Sequence, residues 1–197
     1  MQNILTKPNF RLLIKVLIYT SILLASLVIS TKSFEFGKIF GILATWTFIL
    51  TVIPGIVNRL GVTFSWIKNP SSYLHSSRQQ LGILMWLLAF EHYLSSALIP
   101  IILPIVQSGG KPELNAFFAF GLSAMFLSFP LFLTSNNWIK AKMKKWWKRL
   151  HSLTYIVLWL IFGHVAIAGN PIFMVVYLIV GILQIYSLVK IRMVKTV

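Results

Sequence analysis

Six apolar stretches, each near the length that crosses a bilayer, dominate the chain: residues 12–30, 38–58, 80–105, 115–135, 150–169 and 171–190. About 20 consecutive apolar residues span the hydrocarbon core as a helix. Inside lipid, a helix satisfies all of its own backbone polar groups. The pattern therefore predicts an all-α fold, a polytopic six-transmembrane-helix bundle built as a single domain over residues 1–197. Soluble domains carry about 25% charged residues, whereas this chain carries 11%, with 57% hydrophobic residues and a mean hydropathy of +0.83. The first stretch has the position of a signal peptide. However, its apolar run after Lys15 is about as long as a full span, and no clear small-residue cleavage site follows it, so it is read as the first span. Pro100 and Pro104 are expected to end or kink the third.

The connections sort by charge. With the N-terminus cytoplasmic, fifteen of the eighteen cations fall on the inner side, and Lys32, Lys38 and Lys111 fall outside. Lysine and arginine concentrate in cytoplasmic loops, so both termini are expected on the cytoplasmic side of the membrane. The net charge of +15 is read as this bias rather than as a nucleic-acid surface. Trp66, Trp138, Trp146 and Trp147 stand near the predicted inner boundaries, where aromatic belts form. "KAKMKKWWKR" reads as an anchor to anionic lipid, with a docking surface for an acidic electron donor as the alternative. With no cysteine, disulfides and thiolate metal sites are excluded. The outer connections are short, and no nucleotide-binding domain fits beside the spans.

Ionisable residues inside spans are costly and mark function. Here they are Glu91, His92 and His164, with Arg78 and His151 at the inner margin. His92 lies fourteen residues beyond Arg78, and His164 thirteen beyond His151. At 1.5 Å per residue those offsets are ~21 Å and ~20 Å, so two parallel spans carry polar groups at two matched depths. His92 is placed to face His164 in an outer layer, and Arg78 to face His151 in an inner one. Two imidazoles in apolar surroundings suit a haem, whose macrocycle fills the gap between helices and whose iron needs only axial ligands. A closed zinc site is disfavoured, with neither cysteine nor a carboxylate cluster present. The fit has one flaw: thirteen residues leave about 140° between His151 and His164 on an ideal helix. A bend, a loosening at Gly163 or a frayed start at His151 would each cure it. Arg78 either snorkels to the interface or binds a haem propionate. His75 is expected in a solvated, serine-rich loop. Glu91 has no assigned role, and the Gly37-x-x-x-Gly41 pair is given no functional weight.

Three stretches resemble the ferric reductase-like transmembrane domain shared by ferric reductases and NADPH oxidases. They are "RQQLGILMWLLAFEHYL", "FGLSAMFLSFPLFLTS" and "WWKRLHSLTYIVLWLIFGH", with a weaker likeness at "FGILATWTFILTVIPGIVNRL". The likeness covers about residues 37–165. Within the family it is strongest to the MsrQ branch, the haem-binding membrane subunits of bacterial methionine sulfoxide reductase systems. The resemblance implies b-type haem between the third and fifth spans and electron transfer across the membrane. His92 and His164 would be axial iron ligands of one haem, and His151 would belong to a second. The wider family usually carries a histidine where this chain has Arg78, whereas MsrQ-like proteins share the arginine. The family's flavin and nicotinamide domain has no counterpart before Val197. The donor is therefore expected to be a separate flavoprotein reductase or a membrane quinol, with no motif for a bound flavin or quinone. The MsrQ branch implies an outer-side acceptor, a molybdenum-containing methionine sulfoxide reductase. Two alternatives stay open: a stand-alone ferric or cupric reductase, and a haem-free membrane transporter or assembly factor.

Overall fold

The computed structural model describes residues 34–195 together with Tyr19 and Thr20. Apart from those two, the expected span over residues 12–30 lies outside the described residues. Among the described residues every regular element is helical. Helix α1 runs over Phe34–Leu60 and α2 over Ser65–Tyr93; α2 continues into a π-helical segment, Leu94–Ile102, and then α3, Leu103–Gln107. After a connection come α4 (Ala116–Leu133), α5 (Asn137–Met143), α6 (Lys145–His151), α7 (Thr154–Ile167) and α8 (Pro171–Lys195). Five helical stretches are long and apolar enough to cross a membrane: Gly37–Leu60, Ser77–Gln107, Ala116–Leu133, Lys145–Ile167 and Pro171–Met193. They coincide with the second to sixth expected spans, and the chain is an integral, multi-pass membrane protein.

Local chemistry sets the breaks. Asn115 and Asn136 cap α4 and α5, their side-chain oxygens accepting from the backbone N–H groups of Phe118 (3.0 Å) and Ile139 (2.8 Å). Asn170 accepts from Phe173 N–H in the same way, and Pro171 starts α8 where no N–H is needed. The turn before it depends on Gly169 at φ 73, a conformation that costs a side-chain-bearing residue energy. Pro100, expected as a kink, sits inside the π-helical segment. A proline there removes one backbone donor, and the helix changes its winding rather than stopping. Hydroxyls inside the spans fold back on their own helices: Thr51 donates to Phe48 O (2.6 Å) and Ser128 to Met125 O (2.9 Å).

The chain divides into two compact units, residues 1–43 with 87–112, and residues 44–86 with 113–197. In the first, Gly37 and Gly41 lie against the turn that carries His92, Ser95 and Ser96. A Cβ at Gly37 would collide with the Ser96 hydroxyl and stand 2.8 Å from that of Ser95. The Gly-x-x-x-Gly pair is thus a close-packing face of the kind that small residues provide in membranes.

The second unit holds the main apolar core. Phe48, Ile49, Val52 and Ile56 form one face of α1 and pack with Met85, Ala124, Leu131, Val157, Leu158, Tyr177 and Val180. Helix α4 lies against α7, and α7 against α8. Glycines allow the first approach: a Cβ at Gly163 would meet the Phe120 ring at 2.9 Å. Helix α8 is inverted relative to a helix of a soluble protein. Tyr177, Val180, Gly181, Gln184 and Ser187 form its buried stripe, while Ile179, Ile182, Ile185 and Val189 are exposed. Lipid is the solvent for the outer face, so apolar exposure there costs nothing and the polar side chains turn inward.

Candidate functional site

His92 stands near the end of α2. Its Nδ1 lies 2.7 Å from the Gly37 carbonyl and 3.3 Å from the Ser96 hydroxyl. A carbonyl oxygen carries no proton, so Nδ1–H donates and the neutral ring bears its lone pair on Nε2. The ring rests on Gly41, where a Cβ would come within 3.0 Å of Nδ1 and Cε1. His164, on α7, repeats the arrangement in the other unit. Its Nδ1–H donates to the Phe117 carbonyl at 3.0 Å, and a Cβ at Gly121 would stand 2.9 Å from Nδ1. The Phe117 ring stacks on the imidazole at 4.1 Å between centroids. Each imidazole thus bonds to a backbone carbonyl and rests on the glycine four residues further along the same helix. A histidine that ligates a metal characteristically donates its other N–H to such a carbonyl, which fixes tautomer and orientation. Both residues therefore fit axial ligation through Nε2. Among the described residues no group of three or more histidine or acidic side chains gathers to hold a bare metal ion.

His151 is held differently. Its Nε2 lies 3.1 Å from the Thr134 hydroxyl, which itself donates to the Pro130 carbonyl at 2.7 Å. With its one proton committed, Thr134 accepts from His151 Nε2–H, and the lone pair of that ring sits on Nδ1. The ring stacks on Trp147 at 4.0 Å, and Trp147 Nε1 donates to Thr134 O at 3.1 Å. His151 is the last residue of α6, and α7 begins at Thr154. Ser152 and Leu153 stay in the helical region, and the turn tightens there, with Leu153 N–H on Leu150 O and Tyr155 N–H on Ser152 O, so the winding between His151 and His164 departs locally from the ideal helix.

A cavity of about 440 Å³ lies beside this histidine, with Phe48, Met85, Leu131, Phe132 and Val157 among its apolar walls. Arg78, His75, Lys140, Lys148 and His151 also line it. His75 lies in α2 rather than in the loop expected from its serine-rich surroundings, and it is exposed. Gln79, one residue after Arg78, donates to Ser135 O at 2.8 Å and ties α2 to the end of α4. No residue from 114 to 197 is acidic, so this cationic rim has no acidic side chain from that half of the chain. In the other unit Glu91 is buried beside His92, 1% exposed.

Arg59 is one of the fifteen cations assigned by charge to the inner side. It stands in the last turn of α1, and its guanidinium donates to Gln184 Oε1 (2.6 Å), Ser187 Oγ (2.9 Å) and the Tyr155 hydroxyl (3.2 Å). It thereby joins α1, α7 and α8. The available signal was Gln184 and Ser187, polar residues three apart in an otherwise apolar span.

A multi-pass helical membrane protein with carbonyl-oriented imidazoles inside its spans is the class that these features define. The chain belongs to the ferric reductase-like transmembrane component family, whose profile matches residues 40–162. That range contains Arg78, His92 and His151 and stops two residues short of His164. Among curated proteins, magnetosome protein MamZ of Paramagnetospirillum magneticum is 30% identical over 129 residues, 65% of this chain and 19% of MamZ. The protein-methionine-sulfoxide reductase heme-binding subunit MsrQ of Rhizobium meliloti is 27% identical over 124 residues, 62% of this chain and 53% of that protein. MsrQ of Brucella anthropi is 32% identical over 95 residues, 48% of this chain and 39% of that protein. The match thus spans about half of MsrQ, or less, and a fifth of MamZ. No solved structure matches.

Proposed function

We propose that this protein is a b-type haem membrane cytochrome that passes electrons across the bacterial inner membrane, with His92 and His164 as the axial ligands of one haem. The observation that carries the reading is the repeated imidazole seat: Nδ1–H on a backbone carbonyl, with a glycine under the ring, at both histidines. A haem held by His92 and His164 would supply one-electron chemistry. The chain's own part is orientation. The Gly37 and Phe117 carbonyls hold the rings so that Nε2 bears the lone pair. At the inner cavity beside His151, the Arg78 guanidinium suits a carboxylate such as a propionate of a second haem.

A second haem at His151 requires either release of the Thr134 bond or ligation through Nδ1, so one haem is the primary reading. The topology is six spans with both termini cytoplasmic, which rests on the fifteen inner cations. Electrons enter from a separate flavoprotein reductase or quinol. They leave to an outer-side acceptor of the kind that the relatives' name indicates, a methionine sulfoxide reductase, for which the notion of a molybdenum centre comes from family resemblance.

The test is the reduced-minus-oxidised visible spectrum of the purified protein. Sharp bands of a low-spin b-type cytochrome are expected. His92→Ala and His164→Ala should each abolish the signal of that haem, and its retention in both variants overturns the ligand assignment. A colourless protein from haem-replete cells points instead to a haem-free transporter or assembly factor.

A further inference from the structure

The segment between α4 and α7 carries a basic groove. Helices α5 and α6 meet at Lys144, whose backbone stands at φ 49, ψ −117, a conformation that residues with side chains rarely adopt. The sharp change of direction arranges Lys140, Lys144, Lys145 and Lys148, with Asn137 and Trp147, around an open groove of about 550 Å³. Lys140 Nζ lies 4.9 Å from the Trp147 ring centre. Four ammonium groups around one groove repel one another, and residues 114–197 contain no acidic side chain to neutralise them. The groove shares Asn137, Lys140, Trp147 and Lys148 with the cavity beside His151.

We propose that this groove binds the phosphate headgroup of an anionic phospholipid, one specific lipid whose headgroup lies beside the inner cavity. The chemistry on either side favours lipid over an acidic protein. Trp138 and Trp146 are 67% and 58% exposed, and each carries a cation over its ring, Lys142 at 3.7 Å and Arg149 at 4.8 Å. Indoles topped by cations belong at the headgroup boundary, where the ring meets acyl chains and the charge meets phosphate. Basic pockets beside spans on the cytoplasmic side hold anionic headgroups in this way. The inference is independent of the haem reading, because the groove is built without either proposed axial ligand.

Native mass spectrometry of the full chain, extracted from bilayers of phosphatidylcholine with and without phosphatidylglycerol, tests it. The wild type should retain one phosphatidylglycerol in preference to phosphatidylcholine. The triple variant Lys140→Gln, Lys144→Gln, Lys148→Gln should lose it, with affinity falling roughly 100-fold, since each such charge near a membrane surface is worth about 1 kcal/mol. The double variant Lys142→Gln, Arg149→Gln removes two cations outside the groove and should retain the lipid. Equal loss in both variants, or equal retention in wild type and triple variant, overturns the proposal. So does displacement of the lipid by millimolar inorganic phosphate, which would mark a site for free phosphate. Loss of cross-linking to an acidic protein without any change in lipid retention would assign the lysines to protein docking and also overturn it. Monodisperse elution of each variant shows that it folds.

Discussion

Replacing Gly121 by alanine isolates the role of the imidazole seat at His164. The added Cβ would stand 2.9 Å from Nδ1, 3.0 Å from Cε1 and 3.6 Å from Cγ. Comfortable carbon contacts begin near 3.5 Å, so the ring must retreat by roughly half an ångström. Because Nδ1 is also the atom held by the Phe117 carbonyl at 3.0 Å, the retreat stretches that bond to the edge of hydrogen-bonding range, about 3.5 Å. Loss of the bond costs about 1 kcal/mol, while alanine in a helix interior returns about 0.5–1 kcal/mol relative to glycine. Global stability should therefore barely change. Haem affinity should change, because disturbing the partner that orients a ligating histidine typically costs 10–100-fold in metal affinity, or about 1.4–2.8 kcal/mol. The assay is haem retained per protein through gel filtration, together with the reduced-minus-oxidised spectrum and the thermal unfolding midpoint. Gly55→Ala, whose Cβ would come no closer than 3.4 Å to its nearest neighbour, the Arg59 guanidinium, is the control. Full haem retention with an unaltered spectrum in Gly121→Ala would refute the argument that the glycine seats a ligand.

Gly41→Ala should act in the same way on His92, with a Cβ at 3.0 Å from the ring and a comparable fall in haem retention. Arg59→Met removes donors from Gln184 and Ser187, which are 2% and 0% exposed, so thermal unfolding in detergent should show a loss of about 1–3 kcal/mol. If the Arg59→Met loss persists undiminished in a Gln184→Leu background, the hydrogen bond to Gln184 is not its source. Thr134→Val takes away the acceptor of His151 Nε2 and should raise the occupancy of a second haem, measured as haem per protein. A fall in occupancy would show that the hydroxyl supports the inner site rather than competing for the ring. Gly169→Ala forces a side-chain-bearing residue to φ 73 and should destabilise the turn before α8 by about 1 kcal/mol, read by thermal unfolding.

The spans were legible because a run of apolar residues as long as the bilayer is thick has few other fates. The second to sixth expected stretches all appear as helices, with ends shifted by a few residues. The proline signal at Pro100 was also legible, although sequence does not distinguish a kink from a change of winding. What neighbours do was not legible. Helix α4 is apolar on nearly every side, so no periodicity shows which of its residues meet α7. Nothing in the spacing of Gly37 and Gly41 shows that the ring of His92 rests on Gly41. Arg59 looked like a loop charge because its partners lie more than ninety residues away. His75 was expected in a loop because serines favour turns, yet Ser65–Tyr93 forms one helix through them. The tightened turn at Ser152 and Leu153 was not legible either, since nothing in the composition of those two residues signals a change of winding.

The buried stripe of α8 has a consequence for assembly. A purely greasy rod could spin about its long axis in lipid at little cost. With Gln184 and Ser187 on one side only, any rotation away from Arg59 would press an amide and a hydroxyl into acyl chains. The final helix is therefore keyed: it locks at one rotational setting, and the guanidinium at the foot of α1 is the tooth that fits the notch.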